Sequence, residues 1–333
     1  MKAILMKAPG SLDVLKLADV PKPELTDPYT VLVRLYAAGV NPIDTKVRKA
    51  NAYYPDQLPS ILGCDGAGVV EAIGSSVTRV RPGNDVFFFN NGLGGPPGTY
   101  AEYAVVNEDY LALKPKNISM QEAAAIPVAM ITAWEALLDR GNLRKGKHAL
   151  IHAGAGGVGH IAIQLARHFG ARVATTVSGP AKAAFAQSLG TELAINYAEQ
   201  DFADATLNWT NGLGADVVLD TVGGETFCKS FAATKLYGRV VTLLSTGCDI
   251  RYTNTARLRN LIIGYVQITA PLVFGLHSLR MEQTRILERG GELIERGLLK
   301  VHVSHALPLE QASEAHRLIE AGHTTGKIVL QID

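Results

Sequence analysis

The stretch "HALIHAGAGGVGHIAIQLARHFG" constrains this chain more than any other. A short apolar run, "HALIHA", leads into Gly154-Ala155-Gly156-Gly157-Val158-Gly159. An amphipathic run follows, with Val158, Ile161, Ala162, Leu165, Ala166 and Phe169 on one face and Gly170 to stop it. That order predicts a buried strand, a tight turn and a helix. The pattern G-x-G-x-x-G is weak alone, but between a strand and a helix it marks a dinucleotide-binding βαβ unit. Gly154 then permits the turn, Gly156 lets backbone approach a pyrophosphate, and Gly159 lets helix and strand pack closely. Gly157 and Val158 lie at the helix N-terminus, whose unpaired N–H groups and positive dipole end suit phosphates.

The same texture continues downstream. "ARVATTV", "ELAINY", "ADVVLDTVGG" and "GRVVTLLSTG" read as strands separated by helical patterns such as "PAKAAFAQSLG". Alternation of this kind means an α/β, doubly wound parallel sheet. Upstream the texture differs. "YTVLVRLYAAGV", "GAGVVEAIG" and "DVFFFN" are short β-type runs bounded by glycine, proline and asparagine, the pattern of a β-barrel or sandwich. "SMQEAAAIPVAMITAWEALLDRG" reads as helical, with Ser119 and Glu122 set as a capping box. The tail carries two helical patterns and a last strand, "KIVLQI", expected to rejoin the first domain. The predicted organisation is one domain from residues 1–126 with 266–333, and a Rossmann dinucleotide-binding domain inserted at 127–265.

Which dinucleotide is bound turns on the end of the second strand. NAD sites place an acid about 20 residues beyond the glycines to bond the ribose 2′-hydroxyl. Here Ser178 stands 178 − 159 = 19 residues past Gly159, and no acid is present. Lys182 lies one helical turn further on and supplies positive charge. NADP(H) is the expected cofactor. His152, His160 and His168, which flank the turn, read as structural histidines.

Composition removes other classes. A net charge of +1 with no long run of one sign argues against nucleic acid or an anionic membrane surface as partner. "NLIIGYVQITAPLVFGL" is too interrupted by Gly264, Gln267 and Pro271 to span a bilayer. "MKAILMKAPGSLDV" has no long apolar h-region, so a secretory signal is not expected. The three cysteines, Cys64, Cys228 and Cys248, are widely spaced, and neither a disulfide framework nor a metal signature is expected. A reducing, cytoplasmic setting is the simplest reading.

Residues along nearly the whole chain carry a family likeness: "AAGVNPIDTKVR", "LGCDGAGVVEAIGSSVTRVRPGNDVF", "GTYAEYAVV", "IPVAMITAWEAL", the glycine turn, "INY", "ADVVLDTVGG" and "TTGKIVL". On these the sequence resembles the medium-chain dehydrogenase/reductase superfamily, and most of all its zinc-independent quinone oxidoreductase (zeta-crystallin-like) branch. The resemblance implies a GroES-like catalytic β-barrel domain built from both chain ends, with the Rossmann domain between them. It assigns Asn41 and Thr132 to the nicotinamide end of the cofactor. Ser178, Lys182 and Tyr197 fall at the adenosine 2′-phosphate, and Lys327 at the cofactor edge. Zinc-dependent members place a Cys where this chain has Asn41, a His where it has Cys64, and a later Cys or Asp that "IPVAMITAW" lacks. A catalytic zinc needs three protein ligands, so no metal is expected and Cys64 reads as a small buried hydrophobe.

Without a metal, an acceptor that is already electron-poor suits the chemistry better than a plain ketone. The expected activity is NADPH-dependent hydride transfer to a quinone or other electron-poor carbonyl. Alternatives are an enoyl or alkenal double-bond reductase, or a nucleotide-binding protein with little turnover. Asn41 and Asp44 of "NPID" are the candidates for lining the site, and Tyr53 or Tyr54 for stacking on a planar substrate. Related sequences often carry a tyrosine where this one has Lys46. The apolar, strand-like "NLIIGYVQI" at a sheet edge suggests a homodimer.

Overall fold

The structure, a computed structural model, describes residues 1–244 and 247–333 and divides into two compact units. One comprises Met1–Val128 with Ile268–Asp333, the other Ala129–Gln267.

The first unit is a GroES-like β-barrel domain organised around the strand Thr30–Val40. Its β-branched and leucine residues bury Val31, Leu32, Val33 and Leu35. It pairs antiparallel with Asp65–Ile73, with Tyr103–Asn107 and with Lys327–Gln331. Register shifts at Leu32/Val33 and Leu35/Ala37 bend it, as bulges do where a sheet curls. Val303–Pro308 adds a parallel edge to Lys327–Gln331. On the other side Asp85–Phe89 and Leu111–Leu113 complete a 7-stranded sheet. A 3-stranded sheet of Lys2–Met6, Leu15–Asp19 and Ser60–Ile61 lies beside it in sequence and carries the N-terminus.

The second unit is a Rossmann domain. Six parallel strands run in the order Leu193–Asn196, Arg172–Val177, His148–Ile151, Ala215–Asp220, Thr234–Thr242, Ile262–Tyr265. The chain order reverses at His148–Ile151, and such a switch point opens a crevice at the carboxyl ends of the strands. Every residue of Ala215–Asp220 is buried, as in a sheet covered on both faces. Ile262–Tyr265, within the apolar run noted above, is an edge strand. No helix among the described residues is long and apolar enough to cross a membrane.

Three expectations change. The single helical stretch from Ser119 is broken. The capping box forms, with the Ser119 Oγ accepting from Glu122 N–H at 3.2 Å and the Glu122 carboxylate accepting from Ser119 N–H at 2.8 Å. The helix Met120–Ala124 then stops and Pro127 opens a second, Pro127–Trp134, which widens into a π-helical segment Glu135–Arg140. Proline lacks the N–H needed to continue the first helix and disfavours helical geometry in the residue before it. The helix Gly157–His168 is buried all round from Gly159 to Ala166, not on one stripe. Its polar residues satisfy themselves locally: Gln164 Nε2 donates to the His160 carbonyl at 2.8 Å, and His160 Nδ1 lies 3.0 Å from the Gly156 carbonyl.

The third correction concerns the cysteines. Cys228 and Cys248 are joined by a disulfide, with Cα atoms 5.6 Å apart across a sequence separation of 20. The spacing carries no signature, because folding of the intervening strand Thr234–Thr242 brings the pair together. Cys64 is free and buried.

Candidate functional site

Chemistry-bearing residues gather in one place in each unit. In the second unit the turn after His148–Ile151 takes its sharp conformation at Ala153, with φ +51°, rather than at Gly154. Gly154 is needed for closeness: a Cβ there would meet Thr175 Oγ1 at 2.0 Å on the adjacent strand. Gly159 is equally tight, since a Cβ would meet the Ala153 carbonyl oxygen at 2.3 Å. Gly156 differs. Its nearest obstacle is the same carbonyl at 3.1 Å, so its bare backbone leaves a face for a ligand. Gly156 is the N-cap and supplies no side-chain hydrogen bond to the helix. The first N–H groups, at Gly157, Val158 and Gly159, thus lack an intrahelical or side-chain partner, the arrangement that suits a pyrophosphate.

Ser178 follows Arg172–Val177 and is exposed, and Tyr197 follows Leu193–Asn196 and is 58% exposed. Val177 pairs with Asn196 in register, and Tyr197 N–H donates to the Val177 carbonyl at 3.2 Å. Both residues therefore stand on one carboxyl edge, beside the half-buried Lys182 of the helix Pro180–Ser188. The neighbouring turn is fixed from below. The buried Asp220 carboxylate accepts from Val222 and Gly223 N–H at 3.0 and 2.9 Å and from Thr242 Oγ1 at 2.7 Å. Thr132 is buried in Pro127–Trp134. His152 is buried between Thr176 Oγ1 at 3.2 Å and Ser230 Oγ at 2.9 Å, and burial lowers it to about 4. With His160 bonded along its helix and His168 exposed, the structural reading of these histidines holds.

In the first unit a buried polar cluster forms where Thr30–Val40 gives way to the helix Pro42–Ala50. Asn41 is the N-cap in extended geometry, Pro42 occupies the first turn, and Asp44 Oδ2 reaches back to Asn41 N–H at 2.8 Å. The Asn41 side chain is held at both ends: Nδ2 donates to Asp65 Oδ2 at 2.9 Å, and Oδ1 accepts from Lys327 Nζ. Lys327 Nζ also lies 3.5 Å from Asp65 Oδ2, a pair with 5% and 0% side-chain exposure. The second oxygen of Asp65 accepts from Val128 N–H at 2.9 Å. Gly39 makes this closeness possible, because a Cβ would meet the Ala124 carbonyl at 2.3 Å and Asp65 Cβ at 2.8 Å.

Sequence reading missed Tyr100 and His316. Tyr100 Oη donates to Asp44 Oδ2 at 3.0 Å and lies 3.3 Å from His316 Nε2. No local pattern signals a contact across 216 residues. Burial pushes the Asp44 carboxyl up to about 7, against the hydrogen bond from Asn41 N–H, and raises Asp65 against the charge of Lys327. Burial, followed by the charges of Asp44 and Asp65, raises the Cys64 thiol well above its usual range. A thiol in that state is a packing group rather than a nucleophile. Tyr53 and Tyr54 are half-buried in the loop after the helix.

The donor set does not fit a catalytic metal. Among the described residues no group of three or more His, Cys, Asp or Glu side chains is placed to hold one. Where Asp65 faces inward it already meets a cation, the Lys327 ammonium.

The family matches cut across the two units, the second beginning within the Rossmann unit and running into the C-terminal segment of the first. Residues 27–116 match the alcohol dehydrogenase GroES-like domain family, and residues 189–330 match the zinc-binding dehydrogenase family. The chain is 34% identical over 329 residues to a quinone oxidoreductase of Pseudomonas aeruginosa, covering 99% of each. It is also 34% identical over 340 residues to the chloroplastic NADPH-dependent alkenal/one oxidoreductase of Arabidopsis thaliana, covering 99% of this chain and 79% of that protein. Among solved structures, an NAD-dependent alcohol dehydrogenase superposes over 100% of both chains with a TM-score of 0.90 at 36% identity.

Proposed function

The chain belongs to the medium-chain dehydrogenase/reductase superfamily and is an NAD(P)-dependent oxidoreductase of the quinone reductase type; from that premise we propose that it uses NADPH and reduces a quinone or similarly electron-poor enone without zinc. The observation that carries this reading is the buried group of Asp65, Asn41 and Lys327, in which an ammonium stands against the carboxylate. A protein that lacks a Lewis acid stabilises charge developing on oxygen only by fixed donors and dipoles, and an electron-poor acceptor demands least of them.

The dinucleotide, when bound, supplies a hydride from its nicotinamide ring. The protein's part is to hold and orient. The open backbone at Gly156 and the N–H groups of Gly157, Val158 and Gly159 take the pyrophosphate, while Gly154 and Gly159 keep strand and helix close beneath it. Ser178, Lys182 and Tyr197 receive the 2′-phosphate, with a hydroxyl donor and a positive charge where an NAD site carries an acid. Thr132 and Lys327 act at the nicotinamide end. Asn41 and Asp44 serve the acceptor side: the Asn41 amide fixes Lys327, and the Asp44 carboxyl fixes the backbone of Asn41. Tyr53 and Tyr54 offer rings to a planar acceptor. The protein works in the cytoplasm as a homodimer joined through the exposed edge strand Ile262–Tyr265.

Initial-rate assays test this with NADPH and NADH, each against ortho-quinones, para-quinones and 2-enals. The expected result is a larger kcat/KM for NADPH and for quinones. A larger kcat/KM for 2-enals identifies a double-bond reductase instead, acting on the alkenal class for which the Arabidopsis relative is named. Tight NADPH binding without turnover on any acceptor removes the enzymatic reading.

A further inference from the structure

We propose that Cys228 and Cys248 form a reversible redox modification site on the dinucleotide-binding unit, oxidised by a low-molecular-weight disulfide such as oxidised glutathione. Three observations carry it. First, the two sulfurs are bonded in this structure, and they come from neighbouring helical segments rather than from one local motif. Cys228 lies in the helix Gly224–Ala233, and Cys248 lies directly before Asp249, whose carboxylate caps the helix Ile250–Leu258 through Arg251 N–H at 2.9 Å.

Second, both helices begin at the carboxyl edge of the parallel sheet. Gly224–Ala233 starts from the turn that Asp220 holds, and Ile250–Leu258 follows the strand Thr234–Thr242. That edge is where the glycine turn, Ser178 and Tyr197 also lie, and where ligands of doubly wound sheets bind. Third, the two sulfurs differ in access. Cys228 is buried at 4% exposure, whereas Cys248 is half-buried. An incoming reagent therefore meets Cys248 first.

The chemistry balances with one oxidant. The Cys248 thiolate attacks the external disulfide, forming a mixed disulfide and releasing one thiolate. The Cys228 thiolate then attacks the Cys248 sulfur, closing the internal bond and releasing the second thiolate, which with the first takes up the two protons lost. The pair is oxidised by two electrons and the external disulfide is reduced by the same two. Closure ties the middle of the helix Gly224–Ala233 to the residue that precedes the cap of Ile250–Leu258, so the oxidised unit holds these two helices, and the carboxyl edge they start from, in one arrangement and binds NADPH more tightly. The inference rests on dinucleotide binding by this unit and not on the identity of the acceptor.

The test equilibrates the full-length protein across ratios of oxidised to reduced glutathione, followed by acid quench, alkylation and mass spectrometry. Cys228 and Cys248 are expected to change together in one two-electron transition, while Cys64 stays unmodified in the native protein. NADPH titrations on the two forms should give a Kd about fivefold lower for the oxidised one, at the lower end of ordinary coupling between sites. Cys228→Ser should leave glutathione on Cys248 as a mixed disulfide and hold the Kd at the reduced value in every buffer. A bond that no glutathione ratio opens or closes, or equal Kd values for the two forms, overturns the proposal. The absolute wild-type Kd reports separately on dinucleotide binding, and the quinone assay on the acceptor.

Discussion

At Asp44 burial and hydrogen bonding oppose each other. Loss of water raises its carboxyl from the ordinary 3.8 to about 7, although Asn41 N–H, the Tyr100 hydroxyl and the Lys327 charge all favour the ionised form. One oxygen, Oδ1, is buried without a partner, and that is less costly for a carboxyl that keeps its proton. The folded chain holds a proton there that the unfolded chain has released, so this contribution to stability is full below the unfolded value and is lost as pH rises toward 7. His316 works the other way. Burial, aided by the charge of Arg48, lowers it from 6.5 to about 3, so its contribution is lost as pH falls from 6.5 toward 3. Asp44→Asn is expected to flatten the loss of Tm between about pH 4 and pH 7 and to leave the acid limb set by His316 in place, as calorimetry at a series of pH values would show. At Lys327 the matter is pairing. Lys327→Ala strands Asp65 with its inward charge unopposed, at a cost of about 3–5 kcal/mol in urea unfolding. An exposed pair such as Lys22 with Glu71, screened by water, contributes far less to the same measurement.

Among the elements, the glycine turn separates two jobs that the sequence pattern merges. Gly154→Ala drives a methyl into Thr175 Oγ1, with an expected loss of about 1–3 kcal/mol of stability. Gly156→Ala meets only a carbonyl at 3.1 Å, so its stability should change little while its Kd for NADPH rises. Denaturant curves and NADPH titrations on both variants check the contrast, and weakened folding in Gly156→Ala with unchanged affinity would reverse the assignment. The strand–turn–helix order was legible because each part is coded within a dozen residues by period, glycine and burial. The capping box at Ser119 was legible for the same reason. The restart at Pro127 was written in the proline, yet the apolar, alanine-rich run around it reads as one helix when periodicity alone is weighed. The buried cluster was half legible. Asn41 and Asp44 declare themselves as cap and third helical residue, whereas Tyr100, His316 and Lys327 reach them only through long-range strand pairing and helix packing. The Cys228–Cys248 bond escaped because its spacing reflects the length of a strand and its flanks rather than a motif.

At the scale of the whole molecule, the exposed edge of the Rossmann sheet bears on assembly. Ile262–Tyr265 closes the sheet on one side with unpaired backbone groups and exposes Ile262, Ile263 and Tyr265 by 49%, 40% and 56%. A second copy pairing along that edge would satisfy the backbone groups and cover the side chains. Light scattering is expected to give twice the 35.5 kDa chain mass, and Ile263→Lys to shift the population toward single chains. A wild-type chain that scatters at its own mass at every concentration would sink this arrangement.

The pairing of Lys327–Gln331 with Thr30–Val40 has its own consequence for how such a chain is born. Residues 129–267 are contiguous, so they can fold on the ribosome as soon as they emerge. The barrel cannot. Its central strand gains Tyr103–Asn107 beside Thr30–Arg34 early, but its Ala37–Val40 end stays open on that side until Lys327–Gln331 is made, and Asp65 waits equally long for its ammonium. During that interval the open end of that strand is the part of the barrel most exposed to mispairing.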